Sequence, residues 1–205
     1  MNRLLILSAR RARSLRGLVL SFTLTGCGAG AKPAPAPPCD QSCQDGVALR
    51  ALRTMMRFAF NAAVAGKPVG DQDKTLPCLP AASGLGSVHV FGNAQSNADQ
   101  GASFLDPLNP LNYDFRNCSY SAPPDPMADQ NYSVTLTGLI TESGTLAQQP
   151  TAITALMIDS SSISLTGSVY DPPLDYSAAD CELAVDQNGS AVSGLLCGRA
   201  AGFTF

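Results

Sequence analysis

The chain has 205 residues, 45% of them hydrophobic and 14% charged, with a formal net charge of −3, one histidine and no tryptophan. Lysine and arginine are too sparse for nucleic acid or for a polybasic lipid-headgroup patch, both of which need clustered cations. From Cys39 to Phe205 run 167 residues, enough for one domain with a substantial core and too few for two.

The first 26 residues hold five arginines (Arg3, Arg10, Arg11, Arg13 and Arg16) and no acidic residue, the pattern of a targeting segment and not of a fold. Their apolar run, Leu18 to Leu24, is seven residues long. A helix that crosses a bilayer needs about 20, so the run can engage a translocon but not anchor the chain. It ends on Leu24-Thr25-Gly26-Cys27, which resembles the lipobox of bacterial lipoprotein precursors. The resemblance implies that residues 1–26 are a signal peptide removed before Cys27, and that the Cys27 thiol carries the acyl chains that hold the protein on a membrane. It also implies a place in the bacterial cell envelope. Gly28, where an Asp commonly signals inner-membrane retention, points to the outer membrane. An additional apolar patch at Leu4–Leu7 and the Arg10-Arg11 pair leave the export route open.

Residues 27–38 follow as a Pro- and Ala-rich tether in which Pro33, Pro35, Pro37 and Pro38 fix φ and remove amide donors, so neither helix nor sheet is expected. Without the leader, eight basic residues face 16 acidic ones and the net charge becomes −8. With Cys27 assigned to lipid, six cysteines remain: Cys39, Cys43, Cys78, Cys118, Cys181 and Cys197. An even set in an exported chain reads as three disulfides. Zinc sites need tighter spacing than Cys39-x-x-x-Cys43 with a lone histidine, so no metal and no other cofactor is expected.

In the domain, residues 39–205, one helix is expected over about residues 43–65, from VALRALRTMMRFAFNAAV. Ser42 with Asp45 approximates a capping box, and Gly66 and Pro68 stop the helix. Arg50, Arg53, Arg57 and Asn61 recur every three or four residues and so share one face, read as a solvated stripe. The remaining faces, with Leu52, Met55, Met56, Phe58 and Phe60, are core-forming.

Period-two alternation then marks Tyr132–Ile140 and Ser162–Val169 as half-buried strands that share the tripeptide Leu-Thr-Gly. Further strand candidates are Ser87–Asn93, Tyr113–Tyr120, Thr151–Ile158, Cys181–Asp186 and Ala191–Cys197, which together form a meander over about residues 87–200. The expected fold is α+β and mainly β: an antiparallel curled sheet or incomplete barrel of about 6–7 strands, packed on the single N-terminal helix and stapled by disulfides. Residues 94–112 and 121–131 are expected to be loops able to contact an envelope partner. Asn188-Gly189 marks the last hairpin. Because a two-residue Asn-Gly loop would send Cys181 and Cys197 through opposite faces, their bond requires an odd-length loop. The other four cysteines leave two arrangements open: Cys39 and Cys43 joined to Cys78 and Cys118, or a local Cys39–Cys43 bond.

Three function classes fit these residues. The first is a non-catalytic, lipid-anchored envelope protein that binds a partner or adds structure. The second is a carrier of an apolar ligand inside the curled sheet. The third is a hydrolase built on His89 with a serine and an aspartate, although no G-x-S-x-G elbow accompanies it. The pairs Asp71/Asp73 and Asp171/Asp175 lack calcium-loop spacing and read as turn formers.

Overall fold

The helical stretch is apolar on nearly every side, and a helix of that kind is stable only when surrounded. In the computed structural model, which describes residues 39–64, 69–78, 86–97, 101–150 and 152–205, this stretch forms α1, Gln41–Val64. Fourteen of its 24 residues are buried. The helix starts earlier than the capping box placed it: the Asp40 carboxylate, and not Ser42, accepts the Cys43 amide at 2.9 Å. Asp45 is drawn instead into the core. The leader, Cys27, the tether and the stop at Gly66 and Pro68 lie outside the described residues.

Among the described residues nine strands follow: β1 (Gly70–Pro77), β2 (Ser87–Asn97), β3 (Ala102–Leu105), β4 (Leu111–Ser121), β5 (Tyr132–Ala147), β6 (Ala155–Val169), β7 (Leu174–Asn188), β8 (Ala191–Leu196) and β9 (Arg199–Thr204). All pair antiparallel in one sheet, ordered β1-β2-β3-β5-β6-β7-β8-β9, with β4 also lying between β2 and β5. β3 and β4 share one slot, since β2 pairs with β4 through Ser87–Phe91 and with β3 through Gln95–Asn97. The fold is therefore mainly β, with one helix on an antiparallel sheet. α1 touches both edge strands, β1 and β9, as well as β5 and β6 in the middle. A sheet that meets one helix along both edges and its centre must curl round it.

The count exceeds the expected 6–7 strands for specific reasons. β1 and β9 are edge strands with little to bury, and in β1 only Gln72 is buried, so no alternation betrays it. β3 lies inside the stretch expected to be loop 94–112. Thr151–Ile158 and Ser162–Val169 are one strand, β6, interrupted by a register shift between Ser160 and Ile163. Such bulges sharpen a strand's bend. The shared Leu-Thr-Gly has the same origin: Gly138 in β5 and Gly167 in β6 sit at φ +132° and +141°, and a Cβ on either would meet backbone oxygen of the neighbouring strand at 2.7 and 2.2 Å. The motif places a positive-φ glycine in each of two adjacent strands, where neighbouring backbone leaves no room for a Cβ, and is not a repeat unit.

Inward-pointing side chains pack against α1 to make the core. Leu49, Leu52 and Met56 of the helix lie among Tyr113, Phe115, Leu136, Ile140, Ile158, Ile163 and Leu165, all fully buried. Gly46 lets α1 approach β9 closely, because a Cβ there would lie 2.8 Å from the Gly202 carbonyl oxygen. The concave face of the sheet is filled by the chain's own helix.

Three disulfides fasten this arrangement: Cys39–Cys43, Cys78–Cys118 and Cys181–Cys197. The local bond at the start of α1 is the one that forms, so Cys39 and Cys43 are not joined to Cys78 and Cys118. The last hairpin corrects the parity argument. Its loop is Gly189-Ser190, two residues long, with Asn188 facing Ala191 and Leu183 facing Leu196. Cys197 still reaches Cys181 because it lies beyond β8, in the next turn, at φ +54°, with Asp180 beside Cys181 also left-handed at +51°. Strand parity governs only residues held in a regular ladder.

Candidate functional site

The basic stripe of α1 is where the fold gathers polar chemistry. Arg53 is 2% exposed, so the solvated-stripe expectation fails at its centre. Its Nε donates to Gln187 Oε1 at 2.7 Å, and its Nη1 forms an ion pair with Glu142 Oε1 at 2.9 Å. Glu142, 1% exposed on β5, accepts the Tyr113 hydroxyl on its other oxygen at 2.5 Å. Glu142 Oε1 is buried against the Arg53 guanidinium. Burial, followed by the Glu142 charge, pushes the Tyr113 hydroxyl well above the ordinary phenol range, so it stays protonated and donating.

This cluster was missed in the sequence, yet a signal exists. Glu142 has the parity of Leu136 and Ile140, and Gln187 that of Leu183 and Val185, so alternation points both inward. A carboxylate on a core-facing position needs a cation, and Arg53 is the one that α1 brings.

Arg50 and Arg57 flank it. Arg50 donates to Gln130 Oε1 at 2.9 Å, lies 3.7 Å from an Asp129 carboxylate oxygen, and places its guanidinium 5.0 Å from the Phe203 ring centre. Arg57 is exposed, 4.9 Å from the Phe205 ring centre. Between these arginines and the segment carrying Pro123, Pro124 and Gln130 runs a groove of about 300 Å³, floored by Tyr120 and Tyr132. Phe58, 39% exposed, meets Tyr120 edge to face at 5.5 Å beside it. Burial pushes the Tyr132 hydroxyl up to about 12. Of the two segments expected to contact a partner, residues 121–131 thus lie on the groove, whereas 94–112 carry β3.

A second buried network ties the start of α1 to the end of the chain. Asp45, fully buried, accepts Arg199 Nε at 2.7 Å, Arg199 Nη2 at 2.8 Å, the Tyr176 hydroxyl at 2.7 Å and Gln41 Nε2 at 3.1 Å. Desolvation opposes the charged form, but the donors from Arg199, Tyr176 and Gln41 outweigh it and hold the Asp45 carboxyl below its ordinary value. The stabilisation is therefore complete above the unfolded-state pKa of about 3.9 and is lost as pH falls through the lower folded-state value. Asp45→Asn is expected to flatten the acid limb of stability below about pH 4. Urea midpoints measured between neutral and strongly acidic pH check this, and an unchanged acid slope would count against the network.

His89 lies elsewhere, on the outer face of β2, with Nε2 2.7 Å from Asp73 Oδ1 and its ring stacked on Phe91 at 4.8 Å. Asp73 is 85% exposed, and among the described residues no serine hydroxyl is hydrogen-bonded to His89. Asp71 accepts Asn93 Nδ2 at 2.7 Å. Among the described residues no group of three or more His, Cys, Asp or Glu side chains is arranged to hold a metal ion. No family model matches the chain, and no curated protein or solved structure matches it either.

Proposed function

We propose that this chain is a lipid-anchored protein of the bacterial cell envelope, held through acyl chains on Cys27, whose β-rich domain is non-catalytic and binds an envelope partner. The observation that carries the reading is the pairing of Cys39 with Cys43, Cys78 with Cys118 and Cys181 with Cys197. Every cysteine of the domain has a partner within it. Cys27, the seventh, is left for the acyl group that Leu24-Thr25-Gly26-Cys27 calls for, and three disulfides suit an oxidising compartment. Gly28 favours the outer membrane. Two or more acyl chains on Cys27 would hold the protein on a bilayer where one holds only reversibly; among the described residues no helix is long and apolar enough to cross a membrane.

The binding surface of this reading is the groove at Arg50, Arg57, Tyr120, Tyr132 and Phe205. Tyrosine and arginine are the side chains that dominate binding energy at protein interfaces. A carrier would need an apolar cavity within the sheet, and α1 occupies that space. A hydrolase built on His89 would need a nucleophile beside it in a cleft, and the His89–Asp73 pair is on an open strand face.

Cys27→Ala tests the anchor. In fractionated bacterial cells the parent chain is expected in the membrane fraction and the variant in the soluble fraction. A parent chain that is soluble, or a variant that stays on the membrane, contradicts the proposal.

A further inference from the structure

The three disulfides differ in how the fold holds them. Cys78 and Cys118 are 5% and 2% exposed and belong to the hydrophobic core, and Cys181 and Cys197 pack against it. Cys39 and Cys43 do neither. Cys43 instead borders an open hollow of about 370 Å³, whose walls include Gly46, Arg50, Asp129 and Thr204. A thiolate exchanges with a disulfide only by reaching one of its sulfur atoms, so access decides which bond reacts while the chain stays folded.

The fold also loses least when this bond opens. Its ring is the shortest of the three, with a sequence separation of 4, and so constrains the unfolded chain least. Both cysteines keep partners that do not depend on the bond: an Asp40 carboxylate oxygen accepts the Cys43 amide at 2.9 Å, and Gln44 Nε2 donates to the Cys39 carbonyl oxygen at 3.1 Å. Asp45, two residues further on, is held by Arg199 and Tyr176. The two Cα atoms, 5.2 Å apart, therefore stay within the range a disulfide spans, and the bond can close again.

We infer that Cys39–Cys43 is a reversible thiol–disulfide exchange site, oxidised at rest, whose reaction partner is a dithiol. One thiolate of the dithiol attacks Cys43 Sγ; the bond to Cys39 breaks, and Cys39 leaves with the electron pair and takes up a proton. The second thiolate of the dithiol then attacks the dithiol's own sulfur in this mixed disulfide, and Cys43 leaves and is protonated in turn. The chain gains two electrons and two protons, and the dithiol becomes a disulfide. Cys78–Cys118 and Cys181–Cys197 are staples that the exchange does not touch. The inference depends neither on the acylation of Cys27 nor on the partner groove.

The test incubates the full folded chain, purified from bacterial cells, with dithiothreitol, traps free thiols with N-ethylmaleimide at intervals, and maps the labelled peptides. Cys39 and Cys43 are expected to be labelled together, roughly tenfold or more faster than the other four, because the other bonds wait on opening of the core. The melting temperature is expected to fall by only roughly 4–8 °C at that stage, and oxidised glutathione, added after dithiothreitol is removed, is expected to restore the bond. Cys39→Ala with Cys43→Ala is expected to abolish the fast labelling and to leave the slow labelling unchanged. Equally fast labelling of Cys181 and Cys197 overturns the inference. So does labelling of all six cysteines in one unfolding step, a Cys39–Cys43 bond that does not re-form, or fast labelling that survives in the double variant.

Discussion

Arg53→Met is expected to destabilise the domain by about 3–5 kcal/mol, the range for removing one partner of a buried ion pair. The size follows from what stays behind. Glu142 is 1% exposed and keeps only the Tyr113 hydroxyl as a hydrogen-bond donor, so its charge has no compensating cation and must either remain at high energy or be neutralised by a proton. Gln187 also loses the donor on its Oε1 and retains only its own contact to the Gly189 carbonyl oxygen at 2.9 Å. Adding Glu142→Leu to Arg53→Met is expected to restore most of the loss, because an apolar pair of similar volume removes both desolvation terms. Urea unfolding at neutral pH measures all three chains. A single variant within about 1 kcal/mol of the parent, the range of an exposed pair, would mean that Arg53 and Glu142 meet in water and that the helix does not lie in the curl of the sheet.

The second large effect belongs to Cys78–Cys118. This bond encloses the longest loop of the three, with a sequence separation of 40 against 16 for Cys181–Cys197 and 4 for Cys39–Cys43. The chain-entropy relation gives about 4, 3 and 2 kcal/mol in that order. Position strengthens the ranking. Cys78 follows the edge strand β1, and Cys118 sits at the register shift of β4 next to Asn117 at φ +52°, so the bond clamps an edge strand across the start of β2. Both sulfurs are buried, and alanine is the replacement that leaves neither a free thiol nor a buried hydroxyl. Cys78→Ala with Cys118→Ala is therefore expected to lower the melting temperature most, and Cys39→Ala with Cys43→Ala least. Calorimetry of the three double variants checks the order; its reversal would assign the stabilisation to native-state contacts and not to loop closure.

Periodicity explains why much of the fold was legible and where legibility stopped. The helix showed through its good helix formers and near-continuous apolar surface, and Tyr132–Ile140 showed through alternation that the inward Val134, Leu136 and Ile140 obey. β1 and β9 were invisible because an edge strand buries almost nothing and so has no pattern to display. The arginine stripe was correctly placed on one face of α1 but misread as solvated. Helical spacing says which side chains are neighbours, not what lies over them, and the cover comes from Glu142 and Gln187 on strands far along the chain. Those two were nevertheless readable as polar residues in inward registers. The Asp45–Arg199 bond, by contrast, left no trace in local pattern, because its partners are 154 positions apart. The hairpin loop failed for a geometric reason: Cys197 occupies a left-handed turn position, where strand parity has no force.

The proposed anchor and the three disulfides meet in one thiol count, and non-reducing peptide mapping with intact mass of the protein purified from bacterial cells reads both. The mature chain is expected to begin at an acylated Cys27 and to yield three cystine peptides, Cys39–Cys43, Cys78–Cys118 and Cys181–Cys197. A free Cys27, or Cys27 bridged to any of the other six, would contradict it.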